Sequence, residues 1–200
     1  MTKIPFCKMN GSGNDFILID NRSGAFDAAR TAKFVRRVCT RKVSVGADGL
    51  IFIEPGQRSH FRWRFFNADG SEAEGCGNGI RCVAKYIYDH GYTSKTSIRI
   101  ETLAGILSIT LHVSNSRVEG ATVDMGCPRL QRREIPMVGP EGQVIGEEIE
   151  AAGRKFKVTA VSMGNPHCVI FVDKVADFPV DVYGPLIESH PVFPSRTNVE

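Results

Sequence analysis

The chain has 200 residues, 42% of them apolar and 24% charged, a composition that excludes disordered and fibrous architectures and suffices for one large domain or two small ones. A net charge of +3 is too weak to argue for a polyanionic partner, and the basic runs at Arg36, Arg37, Arg41 and Lys42 and at Arg58, Arg62 and Arg64 read as solvated faces, so no nucleic acid is expected. No stretch reaches the roughly 18 apolar residues of a bilayer span, and the N-terminal MTKIPFCKMN lacks an apolar signal core, so the expected setting is cytoplasmic, with no membrane partner.

In chain order, residues 3–9 and 15–20 predict strands joined by the glycine-rich run Met9-Asn10-Gly11-Ser12-Gly13-Asn14-Asp15-Phe16. Phe16 stands where a dinucleotide-binding loop needs its third glycine, and a strand follows instead of a helix, so that reading is rejected. What the run does offer is Asn14, whose amide can both donate to and accept from a zwitterion. Residues 27–39 place Ala28, Ala32, Val35 and Val38 on one stripe, the pattern of a surface helix. Strands follow at 49–54 and 61–65; in the second, Phe61, Trp63 and Phe65 face one way while Arg62 and Arg64 face the other.

Residues 77–90 are apolar around most of a helix circumference, which predicts an enclosed helix with Gly91 as its C-terminal cap. Strands are expected at 97–102, 107–113 and 118–124, then at 155–163 and 167–172, with a short helix at 182–189. Gly, Pro, Arg and Glu accumulate over 126–154, so a boundary is placed near 122–128, giving domains 1–122 and 123–200.

The densest chemistry lies where the strand ending at Asn67 passes through Ala68-Asp69-Gly70-Ser71 to Gly75-Cys76-Gly77-Asn78-Gly79 at the start of the enclosed helix. The first amides of that helix, at Gly77, Asn78 and Gly79, have no intrahelical partner and suit a carboxylate. A thiol at the same helix end has its thiolate stabilised. One place would thus hold a carboxylate and aim the Cys76 sulfur at the adjacent carbon, as proton abstraction next to a carboxylate requires. The plainer alternative is that Cys76 is a small buried hydrophobe in a glycine turn. A second constellation is Ser162-Met163-Gly164-Asn165-Pro166-His167-Cys168, where the turn can present Asn165. His167 could there be a satisfied core imidazole, a general base or a neighbour that tunes a thiol. No two of the cysteines at 7, 39, 76, 82, 127 and 168 are spaced Cys-x-x-Cys, so no metal site is expected.

These segments resemble the diaminopimelate epimerases. The resemblance runs in order through Lys8-Met9-x-Gly11-x-Gly13-Asn14-Asp15-Phe16, Phe66 to Cys82, Met163 to His167, and Glu188-x-His190 with Phe193-Pro194-x-Arg196-x-Asn198. It implies an α/β (α+β) fold of two pseudo-symmetric halves, each a curled, mostly antiparallel sheet around a central helix, the second half incomplete. It implies a cofactor-independent epimerase that interconverts LL- and meso-diaminopimelate by proton transfer between two thiols at the α-carbon, in lysine biosynthesis, with diaminopimelate as small-molecule partner and a homodimer as the candidate assembly.

Residue by residue, the resemblance implies Cys76 as one of two catalytic thiols and Gly77 and Asn78 as the α-carboxylate site. Asn14, Asn67, Asn165 and Asn198 would hold the reacting centre and the distal end of the substrate, and His167 would tune a thiol. Gly49 stands where some members use a substrate-binding glutamine, and Gly75 where a larger residue is usual. The family pattern continues past Glu200 to an Ala-Cys-Gly-Ser/Thr-Gly segment with the second thiol, so these 200 residues are expected to be inactive alone. A related amino-acid racemase and a non-catalytic carboxylate binder are the alternatives.

Overall fold

The computed structural model describes residues 3–26 and 31–200, so Ala28 and the expected helical start at 27–30 lie outside the described residues. The chain divides into two compact units, Met1–Met125 and Gly126–Glu200.

The first unit contains β1 (Cys7–Gly11), β2 (Asn14–Asp20), α1 (Thr31–Cys39), β3 (Gly49–Pro55), β4 (Phe61–Asn67), β5 (Glu72–Ala73), α2 (Gly77–Asp89), β6 (Ser97–Thr102), β7 (Gly105–Ser114) and β8 (Arg117–Asp124). Its eight strands form one sheet in the order β1-β2-β3-β4-β6-β7-β8, with β5 paired to β4. Pairing is antiparallel except between β2 and β3 and between β4 and β6.

Both faces of this sheet are covered at its centre, which explains the unbroken apolar runs Phe16-Ile17-Leu18-Ile19 and Leu50-Ile51-Phe52-Ile53. Phe16, Leu18, Ile51, Ile53, Trp63 and Phe65 form one core with Ile80, Val83, Ala84 and Ile87 of α2. The alternate residues Ile17, Ile19, Leu50, Phe52 and Phe66 form another core with Val35 and Cys39 of α1. The aromatic and arginine alternation expected in β4 is observed, with Phe61, Trp63 and Phe65 buried and Arg62 and Arg64 half-buried. Glycine at position 79 has a packing cause, since an added Cβ would approach Trp63 to 3.1 Å and Ile51 to 3.2 Å.

The enclosed helix ends as expected. Gly91 adopts φ +71°, its amide bonds to the Tyr88 carbonyl at 2.9 Å, and the Tyr92 amide bonds to the Ile87 carbonyl at 3.0 Å. This is the paired bonding of a Schellman end, and it depends on a left-handed residue. The buried carboxylate of Glu101 accepts the backbone amides of Arg58 and Ser59 and so clamps the turn between β3 and β4.

The second unit contains β9 (Glu147–Ala151), β10 (Arg154–Ser162), β11 (Pro166–Val169), α3 (Val180–Glu188) and β12 (Asn198–Val199), with sheet order β12-β11-β10-β9. Its core joins Ile135, Val144, Ile149, Phe156, Val158, Cys168, Ile187 and Phe193. The strand expected at 167–172 is shorter, and three strands escaped the sequence reading. β5 and β12 are two residues long, and β9 is Glu-Glu-Ile-Glu-Ala, an edge strand whose charged side chains mask its pattern. The overall class is mixed, with three α-helices among the described residues and sheets that are mostly antiparallel.

Replacing Gly91 with alanine should destabilise the protein by about 1–2 kcal/mol, the cost of placing a Cβ in the left-handed region. Urea unfolding of the G91A protein measures this, and an unchanged midpoint would contradict the assigned cap.

Candidate active site

Two groups of the expected site residues are brought together locally, one in each unit. The first is built on the two-residue turn between β1 and β2. Gly11 pairs with Asn14 across the hairpin, and the intervening Ser12 and Gly13 have φ of 48° and 94°, the geometry of a type I′ turn. The hairpin lies directly against α2, because a Cβ on Gly11 would meet both the Asn78 carbonyl oxygen and the Cys82 sulfur at 2.9 Å.

Cys76 is the N-cap residue of α2, extended at φ −154° and ψ 111°, and its side chain makes no capping hydrogen bond. The Ile80 amide opens the backbone ladder by bonding to the Cys76 carbonyl at 3.0 Å, so the amides of Gly77, Asn78 and Gly79 precede it. Beside Gly77 the space is open; the nearest atom to an added Cβ is the Met125 sulfur at 4.0 Å. Thus a half-buried thiol and the free amides of a helix start occupy one turn.

The Asn78 side chain donates to Asn14 Oδ1 at 2.9 Å, and Asn14 Nδ2 donates to Asp48 Oδ2 at 3.4 Å. Arg81 donates to Asn78 Oδ1 and to Ser12 Oγ, each at 2.7 Å. Asp48 also accepts the Asp15 amide and the Arg41 guanidinium, each at 2.8 Å. Arg41 reaches Asp15 as well, at 2.9 Å; together with a hydrogen bond from Asn10 this holds the Asp15 carboxyl down at about 2. Asp48, Arg41 and Arg81 were not singled out from the sequence. The spacing of Arg81 three residues after Asn78 was the available signal, since such pairs meet on a helix.

Asn67 is held apart from that chain of bonds. Its amide donates to Ser71 Oγ at 3.1 Å, in a turn where Asp69 Oδ1 accepts the Ser71 amide at 2.8 Å and Ser71 Oγ at 2.6 Å. Gly70 closes this turn at φ +84°, with an added Cβ 2.6 Å from the Ala32 carbonyl oxygen. Gly49 takes no side chain either, since its Cβ would lie 2.5 Å from the Phe65 ring and 2.7 Å from the Phe66 carbonyl oxygen. Gly75 has open space instead, so packing does not account for it.

In the second unit, the Gly164 turn at φ +110° sets Asn165 ahead of β11. His167 lies between two polar partners, with Nδ1 2.7 Å from a Glu200 carboxylate oxygen and Nε2 3.0 Å from Asn165 Oδ1. β11 and β12 run parallel with His167 opposite Asn198, and Asn198 Nδ2 donates to the Pro166 carbonyl at 2.9 Å. His167 is therefore half-buried with both ring nitrogens partnered, and Glu200 is the partner that sequence reading missed.

The other thiols differ from Cys76 in setting. Burial pushes Cys39 up to about 11 and Cys168 up to about 12, and raises Cys82 as well. Among the described residues no cluster of three or more His, Cys, Asp or Glu is placed to hold a metal ion, and no helix is long and apolar enough to cross a membrane.

The sequence profile of diaminopimelate epimerase matches residues 6–131. The chain is 51% identical over 195 residues to diaminopimelate epimerase of Pelotomaculum thermopropionicum and 48% identical over 195 residues to that of Moorella thermoacetica, covering 98% of this chain and 70% of each relative. The chain belongs to the diaminopimelate epimerase family. Family members are isomerases that interconvert the LL and meso forms of diaminopimelate. The fold is wider than the family. A hydroxyproline epimerase from Agrobacterium vitis matches with TM-score 0.68 at 12% identity, over 97% of this chain and 64% of that one. A probable proline racemase from Agrobacterium radiobacter matches with TM-score 0.68 at 14% identity, over 98% and 65%. The chain thus spans a little under two thirds of these structures.

Two measurements probe these arrangements. At mildly alkaline pH, iodoacetamide should label Cys76 and exposed Cys127 and spare Cys39, Cys82 and Cys168, whose thiolates are suppressed by burial; peptide mass spectrometry reads the order. The Asp15 carboxylate contributes stability above its ordinary value of 3.8, and that contribution is lost as pH falls toward about 2. The D15N protein should therefore show a flatter stability profile between those pH values in acid unfolding, and an unchanged slope would refute the assigned ion pair.

Proposed function

We propose that this chain supplies one half of the chemistry of a cofactor-independent diaminopimelate epimerase, with Cys76 as the acid or base on one face of the α-carbon. The observation that carries this reading is the position of Cys76 as the N-cap of α2, on the same turn as the open amides of Gly77, Asn78 and Gly79. A substrate carboxylate on those amides sets the α-carbon beside the sulfur. Charge that develops on the carboxylate oxygens as the α-proton leaves is then met by fixed dipoles, which need no rearrangement. The thiolate takes the proton in one direction of the reaction and the thiol returns one in the other.

Inversion needs a second proton carrier on the opposite face of the carbon, and the family resemblance assigns that role to a second thiol. Asn14 and Asn67 in the first unit, and Asn165 and Asn198 in the second, are the candidate amide donors and acceptors for the amino acid groups of diaminopimelate. His167, ordered by Glu200 and Asn165, is proposed to tune a thiol. The reaction belongs to lysine biosynthesis, and a reducing cytoplasm, which keeps Cys76 as a thiol, is the setting proposed for it, with a homodimer as the assembly.

Incubation with LL- or meso-diaminopimelate in deuterium oxide tests the assignment. Proton NMR should show deuterium entering the α-position, and the C76S protein should lose this exchange by at least about a hundredfold, the usual scale for a group that moves a proton. Full exchange in C76S would remove Cys76 from the chemistry. Binding without any exchange in the unsubstituted protein would favour a carboxylate-binding module.

A further inference from the structure

A primary amide has a donor end and an acceptor end and can turn over at little cost, so a ligand meeting an unconstrained asparagine can find either. In this site two such amides, Asn14 and Asn78, are bonded to one another and lie between two groups of single character. Asp48, held as a carboxylate by Arg41, can only accept, and Arg81 can only donate. The chain from Arg81 to Asn78 to Asn14 to Asp48, with links of 2.7, 2.9 and 3.4 Å, is self-consistent in one sense alone. Turning the Asn78 amide would set its NH2 against the Arg81 guanidinium, and turning the Asn14 amide would set its oxygen against the Asp48 carboxylate.

We infer that Asp48 and Arg81 are positioning residues for the reaction, which fix the sense of the two amides so that Asn14 and Asn78 face the ligand as hydrogen-bond donors. Each amide spends one N–H within the chain and keeps one. The remaining pair adds donors to the backbone amides at the start of α2, so the whole turn is selective for the acceptor oxygens of a carboxylate. Both ends of the device are anchored elsewhere. Asp48 accepts the Asp15 amide at 2.8 Å, and Arg81 also binds Ser12 Oγ at 2.7 Å, which ties the hairpin turn to the helix. Neither Asp48 nor Arg81 is required to touch the reacting carbon. This inference rests on the reading of the Cys76 turn as the carboxylate site.

The experiment uses iodoacetamide labelling of Cys76 in the presence of graded meso-diaminopimelate, for the unsubstituted protein and for D48N, R81Q, D48N/R81Q and D48N/R81K. Either end alone fixes the sense of both amides, so each single variant keeps it, whereas asparagine at 48 together with glutamine at 81 leaves no group of single character and the chain loses its sense. The half-protecting concentration should rise at least tenfold in D48N/R81Q and stay within about threefold in either single variant. Lysine at 81 donates only, so D48N/R81K should recover to within about threefold of the unsubstituted protein. Thermal melting is followed alongside, because a purely structural role would lower the melting temperature without moving protection in the folded fraction. A half-protecting concentration within twofold of the unsubstituted value in D48N/R81Q would overturn the inference, as would a D48N/R81K protein as weak as D48N/R81Q. If D48N/R81Q does not fold, D48S/R81Q and D48S/R81K, in which the serine hydroxyl likewise donates or accepts, decide the matter. Failure of diaminopimelate to protect Cys76 in the unsubstituted protein would instead overturn the reading of the site, and this inference with it.

Discussion

The approach of Gly11 to the first turn of α2 is the constraint on which the first unit's chemistry depends. With a Cβ at that position 2.9 Å from the Asn78 carbonyl oxygen, no other residue lets the β1–β2 hairpin rest against the helix without displacing it. Contact at this distance carries Asn14 to the Asn78 side chain and Ser12 to Arg81. The helix cannot retreat, because Gly79 already sits against Trp63 and Ile51 on the sheet. Cys76 and the open amides are thus mounted on a helix gripped from two directions, and the proposed proton transfer tolerates little displacement.

Around this turn, apolar packing and polar bonding divide the work. Ile80, Val83, Ala84 and Ile87 bury the helix in the core, a non-directional attraction that fixes its depth. The bonds among Asp48, Asn14, Asn78 and Arg81 are directional and determine what the surface of the turn offers to a ligand. In the second unit the same division recurs on a smaller scale. There, Cys168 and Val158 face the core, while the neighbouring His167 is held between Asn165 and Glu200.

Much of this was legible in the sequence, for reasons that differ by element. The enclosed helix was readable because its apolar residues circle the axis, and its end because Gly91 alone could take the left-handed position that follows. Cys76 and Asn78 stood out because glycines surround them, and a glycine cluster ahead of an apolar helix has few purposes besides exposing backbone amides. The partners Asp48 and Glu200 were illegible, because each meets its site through strand pairing, and Arg41 because it reaches in from the turn after α1. Asp48 reaches the Asp15 amide only because β2 and β3 run in parallel with Phe16 opposite Gly49, and Glu200 reaches His167 only because β12 pairs with β11. β9 was missed for the opposite reason, its acidic residues occupying the exposed positions of an edge strand.

The apolar saturation of β2 on both faces has one more result. In a strand with one wet face, a slip of one residue would drive polar groups into the core, and hydrophobicity alone forbids it. In β2 the same slip would keep three of the four buried positions apolar and draw only Asp15 or Asp20 into the fourth, so the discrimination lies at the ends of the strand. The counting falls to the polar end of the strand: the two-residue turn at Ser12 and Gly13, and the Asp48 carboxylate seated on one particular amide, that of Asp15. Residues at the β1–β2 turn therefore also keep the alignment of the central sheet, and variation there is limited by the need to keep the strand in step.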